Sequence, residues 1–103
     1  MVEIIFTAQA LNDINTIAEF IARDSEKYAS IQTKRFFDYT DLIENNPHIG
    51  RVVPELNNKA VREIISGNYR IIYLLVNESR ADILTVHHSY RLLKNSPIYK
   101  DLK

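Results

Sequence analysis

The chain contains no cysteine among its 103 residues, so neither a disulfide framework nor a thiolate metal site is open to it. That absence fits a reducing compartment, although exported proteins also dispense with cysteine. Net charge is missing too: thirteen Lys and Arg balance thirteen Asp and Glu, and a surface coated in cations for nucleic acid is not expected. The opening stretch, Met1 to Asp13, has no basic n-region and no sustained apolar run. It reads neither as a signal peptide nor as a membrane span, and a cytoplasmic setting is expected. Also lacking are an H-E-x-x-H pair, a P-loop, a G-x-S-x-G elbow and a dinucleotide fingerprint. Most enzyme classes are left without support, and no cofactor or metal is expected.

What is present is ordinary in amount. An apolar share of 46% and a charged share of 25% describe a soluble globular protein. The length suits one hydrophobic core, hence a single domain over residues 1–103. The charges are unevenly placed. Residues 1–60 hold six basic against nine acidic side chains, and residues 61–103 hold seven against four. The halves thus carry about −3 and +3, a hint of an anionic ligand for the second half.

Val2 to Phe6 is β-rich and makes a first strand. Thr7 is an N-cap, and from Ala8 to Arg23 the residues Leu11, Ile14, Ala18, Ile21 and Ala22 form the stripe of an amphipathic helix. Ile17 and Phe20 widen that stripe, so burial over much of the helix girth is expected. Asp24 and Ser25 interrupt it and cap a second helix from Glu26 to Asn46, with Ala29, Phe36 and Ile43 at heptad spacing. Pro47 ends this helix, because the residue before proline is pushed out of the helical region. The stretch from Pro47 to Lys59 is loop, punctuated by Gly50, Pro54 and Asn57–Asn58.

The period then switches. Val61 to Ile65, Tyr69 to Val76 and Ala81 to His88 read as three strands, the first two joined by Ser66, Gly67 and Asn68. The expected fold is α+β with the order βααβββ. A helical hairpin covers one face of a mostly antiparallel twisted sheet, the other face stays partly open, and the first strand adds beside a meander strand distant in sequence.

With a three-residue hairpin connection, Ile65 faces Tyr69, Arg62 faces Ile72 and Ile64 faces Arg70. Arg62 and Arg70 then share one sheet face. Either His87 or His88 joins them, depending on the register of the last turn, together with Tyr90, Arg91 and the loop residues Arg51 and Glu55. Such a group suits a phosphodiester: arginines neutralise charge on phosphate oxygens, and a histidine or glutamate moves the protons. The plainer reading is that Glu55 or Glu63 simply pairs with these arginines. His87 and His88 do not share a metal ion, because neighbours on a strand point to opposite faces.

Several strings together resemble the RelE/ParE superfamily of toxins from type II toxin–antitoxin systems. They are Leu11 to Ile14, Ile21 to Ser25, Pro47-x-x-Gly50-Arg51-x-x-Pro54-Glu55, Val61-Arg62-Glu63, Gly67 to Tyr73, and Val86-x-His88-x-x-Arg91. The resemblance spans nearly the whole chain in the family's order. It implies a compact α/β toxin held inactive by a cognate antitoxin, with operator DNA bound only through that antitoxin. RelE-like members cut messenger RNA on the ribosome without metal, whereas ParE-like members poison DNA gyrase by binding. The first mechanism is the leading expectation here, the second the alternative, and a non-toxic binding module a further one. In RNA-cleaving relatives the arginine at the Arg70 position belongs to the active site. The basic position on the preceding strand falls at Arg62, Glu55 is similar to a glutamate base, and the closing motif maps to His88 and Arg91. The expected catalytic set is therefore Arg62, Arg70, His88, Glu55, Tyr90 and Arg91. RNA-cleaving relatives are usually strongly basic, which this chain is not. Its helical half and its Gly50-to-Glu55 loop are more ParE-like, while gyrase-poisoning members often carry methionine where Arg91 stands.

Overall fold

The computed structural model describes residues 1–89 and Pro97. Its elements run β1 (Glu3–Phe6), α1 (Ala8–Ala22), α2 (Glu26–Asn45), β2 (Arg51–Val52), β3 (Val61–Ser66), β4 (Tyr69–Asn77) and β5 (Arg80–His88). The sheet order is β1-β5-β4-β3-β2. Both helices pack on one sheet face, as the alternating burial of the strands requires, giving the α+β arrangement expected from the sequence.

The helix boundaries are set locally. The Thr7 hydroxyl accepts from the Ala10 N–H at 3.1 Å, and that of Ser25 accepts from the Tyr28 N–H at 3.1 Å. Asn46, just before Pro47, leaves the helical region with φ −146° and ψ 83°. Phe36 and Ile43 are sealed in the layer between helices and sheet with Ala10, Ile14, Ile71, Tyr73, Ile83 and Val86. One expectation for α1 fails. Only Ala10 and Ile14 are buried along it, and Phe20 is 64% exposed. A helix in a single layer has solvent on its far side, so its widened apolar stripe has nothing to bury it there.

Two further differences concern the sheet. β1 joins its edge in parallel with β5, Glu3 facing Arg80 and Phe6 facing Ile83. This is the sequence-distant strand placement that was expected. The stretch read wholly as loop contains a fifth strand, β2, which pairs Arg51 with Glu63 and Val52 with Arg62. A two-residue strand shows no alternation, so only its pairing reveals it. Beyond β2 the chain folds over the sheet face away from the helices. Val53, fully buried, packs there with Val61 and Ile72, and Leu56, Leu74 and Leu84 flank them. That face is thus partly covered by the chain's own loop, and burying Val53 contributes about 2 kcal/mol toward holding it there.

The hairpin between β3 and β4 is one residue tighter than its sequence suggested. Ser66 pairs with Tyr69, leaving only Gly67 and Asn68 as the connection. Gly67 adopts φ +60°, the left-handed conformation that type II′ turns place at their first central residue. The register becomes Ile65 to Arg70, Glu63 to Ile72 and Arg62 to Tyr73. Because side chains alternate with period two, that single slip sends Arg62 and Arg70 to opposite faces and overturns the shared-face expectation. Arg62 lies on the helix side with Tyr73, and Arg70 lies on the loop-covered side with Glu63 and Ile65.

Candidate functional site

The loop from Pro47 to Lys59 is fastened by a tyrosine of β4. Buried Tyr73 donates its hydroxyl proton to the Pro47 carbonyl at 2.7 Å and accepts from the Gly50 N–H at 2.9 Å. Gly50 lies so close that an added Cβ would stand 2.7 Å from both the Glu63 carbonyl oxygen and the Tyr73 hydroxyl. Arg62 completes the clamp, donating from Nη1 to the Gly50 carbonyl at 2.9 Å and from Nε to the Lys59 carbonyl at 3.2 Å. Burial pushes the Tyr73 hydroxyl above its ordinary pKa, partly opposed by the Gly50 N–H and by the Arg62 charge.

This clamp delivers Arg51 and Glu55 to a ladder of alternating charges on the sheet face away from the helices. Arg51 Nε donates to Glu63 Oε2 at 2.6 Å, and Arg70 Nε donates to Glu63 Oε1 at 2.7 Å. The two terminal nitrogens of Arg70 then grip both oxygens of Glu55, at 2.8 and 3.0 Å. The Glu63 side chain is 0% exposed and that of Arg70 only 8%. Burial alone would lower the Arg70 pKa, but the bonds to Glu55 and Glu63 outweigh it and hold the guanidinium above its ordinary value. Two arginines and two glutamates leave the ladder neutral. The plainer pairing considered from sequence is therefore the geometry found, with both carboxylates on one arginine.

The histidines are sorted by the register of β4 against β5, which shifts twice. Leu75 faces Ala81 but Asn77 faces Arg80, so β4 carries an extra residue at Val76. Ile72 faces Thr85 but Tyr73 faces Ile83, so β5 carries one at Leu84, a bulge that restores the register set at Asn77. Asp13 of α1 fastens the bulge, accepting from the Val86 N–H at 3.1 Å and from the Thr85 hydroxyl. In the resulting register Arg70 faces His87, while His88 faces Tyr69 and meets its ring edge-on at 5.7 Å. The residue pattern left His87 and His88 open beside Arg70 and the resemblance named His88; the register puts His87 there. Of the expected catalytic set, the fold brings together Glu55 and Arg70. It leaves Arg62 and His88 on the other face, and Tyr90 and Arg91 lie outside the described residues.

Sequence reasoning passed over Tyr73 and Asp13, and treated Glu63 only as a counter-charge. Glu63 did leave a signal. It shares its strand parity with Val61, so it stands at an inward position where a carboxylate requires partners. Asp13 left none, because its role depends on a bulge in a strand that follows more than seventy residues later.

The arrangement is that of a small α/β scaffold whose strongest cation is already saturated. Its sequence matches, over residues 4–93, the model of a family described as the ParE toxin of the type II toxin–antitoxin system parDE. The chain belongs to the ParE toxin family. Solved structures with this fold include the chromosomal ParDE toxin–antitoxin system from P. aeruginosa. It aligns with a TM-score of 0.69 at 14% identity, covering 85% of this ParE-family chain and 96% of that one. Another is the heterotetrameric YoeB–YefM toxin–antitoxin complex from Staphylococcus aureus. There the TM-score is 0.53 at 16% identity, over 87% and 99% of the two chains. No curated relative matches the sequence. At these identities the structural likeness establishes the fold, and the family match establishes a toxin of a type II system. Among the described residues, no helix of this ParE-family chain is long and apolar enough to cross a membrane.

Proposed function

We propose that this toxin arrests growth by binding its target rather than by cutting RNA, with DNA gyrase as that target and a cognate antitoxin as its restraint. One observation carries the reading: the Arg70 guanidinium, which a nuclease needs for the scissile phosphate, is bonded on every side to Glu55 and Glu63. An arginine so neutralised adds little to a developing phosphorane charge, which needs donors aimed at it and otherwise unspent. Arg62 does not supply the missing cation, since it lies on the opposite face with Nε and Nη1 holding loop carbonyls. The family match to ParE points the same way. Inhibition is proposed to take place in the cytoplasm, with operator DNA reached only through the antitoxin.

A second reading keeps some support. Arg70 and His87 are cross-strand partners, and Glu55 joins them, so a base, an acid and an arginine do meet on one face. For RNA cleavage Glu55 would have to leave Arg70 to admit a phosphate. The test induces the chain in growing cells, maps RNA 5′ ends and assays plasmid supercoiling in the same culture. Lost supercoiling with intact transcripts is the expected result. New cuts inside translated codons with normal supercoiling would replace this reading by the nuclease. Unimpaired growth with folded protein present would remove both.

A further inference from the structure

The two carboxylates on Arg70 are not equivalent. Glu63 is part of β3, fully buried, and shared with Arg51. Glu55 is carried on the loop after β2 and keeps 32% of its side chain exposed. Its segment turns back on itself, with the N–H groups of Leu56 and Asn57 both donating to the Val53 carbonyl at 3.2 Å. Asn57 sits at φ +49°, a left-handed conformation that asparagine tolerates at modest cost. Val53 and Leu56 attach this turn to the sheet through apolar contact on either side of Glu55. The turn is therefore a strap, and Glu55 is the carboxylate that the strap presents.

We propose that Glu55 is an exchangeable internal ligand masking a carboxylate-binding site on Arg70, which takes an acidic side chain of a protein partner. Charge decides the ligand class. With Glu55 lifted away, Arg51, Arg70 and Glu63 together carry a single positive charge. Arg70 then offers two terminal nitrogens in the fork geometry that grips a carboxylate in bidentate fashion. One charge suits one carboxylate. A nucleic acid strand would need further cations along its backbone, and among the described residues the neighbouring arginine of β3, Arg62, is on the other face. Beside the fork, cross-strand from Arg70, Ile65 is 43% exposed and offers apolar contact to a residue flanking the acidic one. The partner is thus an Asp or Glu next to an apolar residue, exchanged against Glu55 in kind. That this partner is the antitoxin rests on the toxin reading above; the site on Arg70 does not.

The test is chemical rescue in the full chain. Glu55→Ala removes the internal carboxylate, and thermal unfolding is compared in sodium acetate and in sodium chloride at matched ionic strength. Acetate should raise the midpoint of Glu55→Ala by roughly 2–3 °C over chloride when it equals its own dissociation constant. The wild type should show a smaller difference. The Arg70 Nε–Hε NMR signal should move with acetate in the variant. In the wild type it should move with a capped Leu-Glu-Leu peptide, as exchange requires. Identical behaviour in acetate and chloride overturns the proposal, as does an unmoved Arg70 signal in the wild type. Binding of a short single-stranded RNA to Glu55→Ala in preference to acetate overturns the choice of ligand. Glu55→Gln, which keeps the side-chain volume, serves the same comparison if the alanine variant fails to fold. Growth arrest is scored separately, so failure of the toxin reading leaves the acetate result standing.

Discussion

Glu63→Gln isolates the charge at the centre of the ladder. The amide keeps the size of the carboxylate, so no cavity opens. It accepts through one oxygen only and turns an N–H₂ toward an arginine that also donates. Glu63 accepts from Arg70 and Arg51 at 2.7 and 2.6 Å with its side chain fully buried. Breaking a buried pair typically costs about 3–5 kcal/mol because a charge is left uncompensated. Here Arg70 keeps Glu55, which lowers the expectation to about 3 kcal/mol, the worth of one or two charge-assisted bonds. For a domain of this size that is a midpoint drop of roughly 12–24 °C, a large part of the total stability. The outer rung calibrates the scale: Arg51 is 65% exposed, and Arg51→Ala should cost only about 0–1 kcal/mol. Urea unfolding of both variants, with the m-value checked for two-state behaviour, reads the difference. If Glu63→Gln costs no more than Arg51→Ala, the buried ladder is not what fastens the loop to the sheet, and the reasoning fails.

Three further outcomes follow from the same geometry. Gly50→Ala should destabilise by at least about 1–3 kcal/mol, since its Cβ meets the Glu63 backbone carbonyl and Tyr73 at 2.7 Å; a neutral effect in urea unfolding would refute the close approach. Tyr73→Phe should cost about 1–3 kcal/mol at neutral pH by leaving the Gly50 N–H and Pro47 carbonyl without their partner. Its pH dependence has a definite sign. The folded chain holds the Tyr73 proton above the ordinary value of 10.0, so this stabilisation is complete below pH 10 and declines as pH rises through the folded value. The gap between wild type and Tyr73→Phe should accordingly narrow above pH 10, and a constant gap would contradict the raised pKa. Asp13→Ala should cost about 1–3 kcal/mol and speed hydrogen exchange at the Val86 amide, whose acceptor it removes; unchanged protection there would show that the bulge holds itself.

How much of the molecule was legible in its residues depends on the range of the interaction. Thr7, Ser25 and Pro47 mark the helix ends within four residues of the bonds they make or prevent, and the heptad of Ala29, Phe36 and Ile43 names the buried side of α2. The order of the helices and of every strand but β2 was readable for the same reason, and the family was readable from its motif strings. Burial along α1 was not, because apolar spacing states which residues prefer to be buried and not whether a second layer exists to cover them. The strand β2 escaped because two residues carry no period.

The composition of the site was decided elsewhere. Sequence alone put Arg51, Glu55, Glu63 and Arg70 within reach of one another, yet it also put Arg62 with Arg70 and left His87 and His88 undivided. The folded backbone separated them through three one-residue choices: the tight turn at Gly67 and the paired extra residues at Val76 and Leu84, which offset each other. Each such step inverts the facing of the side chains beyond it until a second step restores it, since strand side chains alternate with period two. Beside Leu84, Asp13 on α1 accepts from the Val86 amide, seventy-three positions away. Local propensity determines that these segments become strands. Only the packed helix and the clamped loop determine which way their charges point.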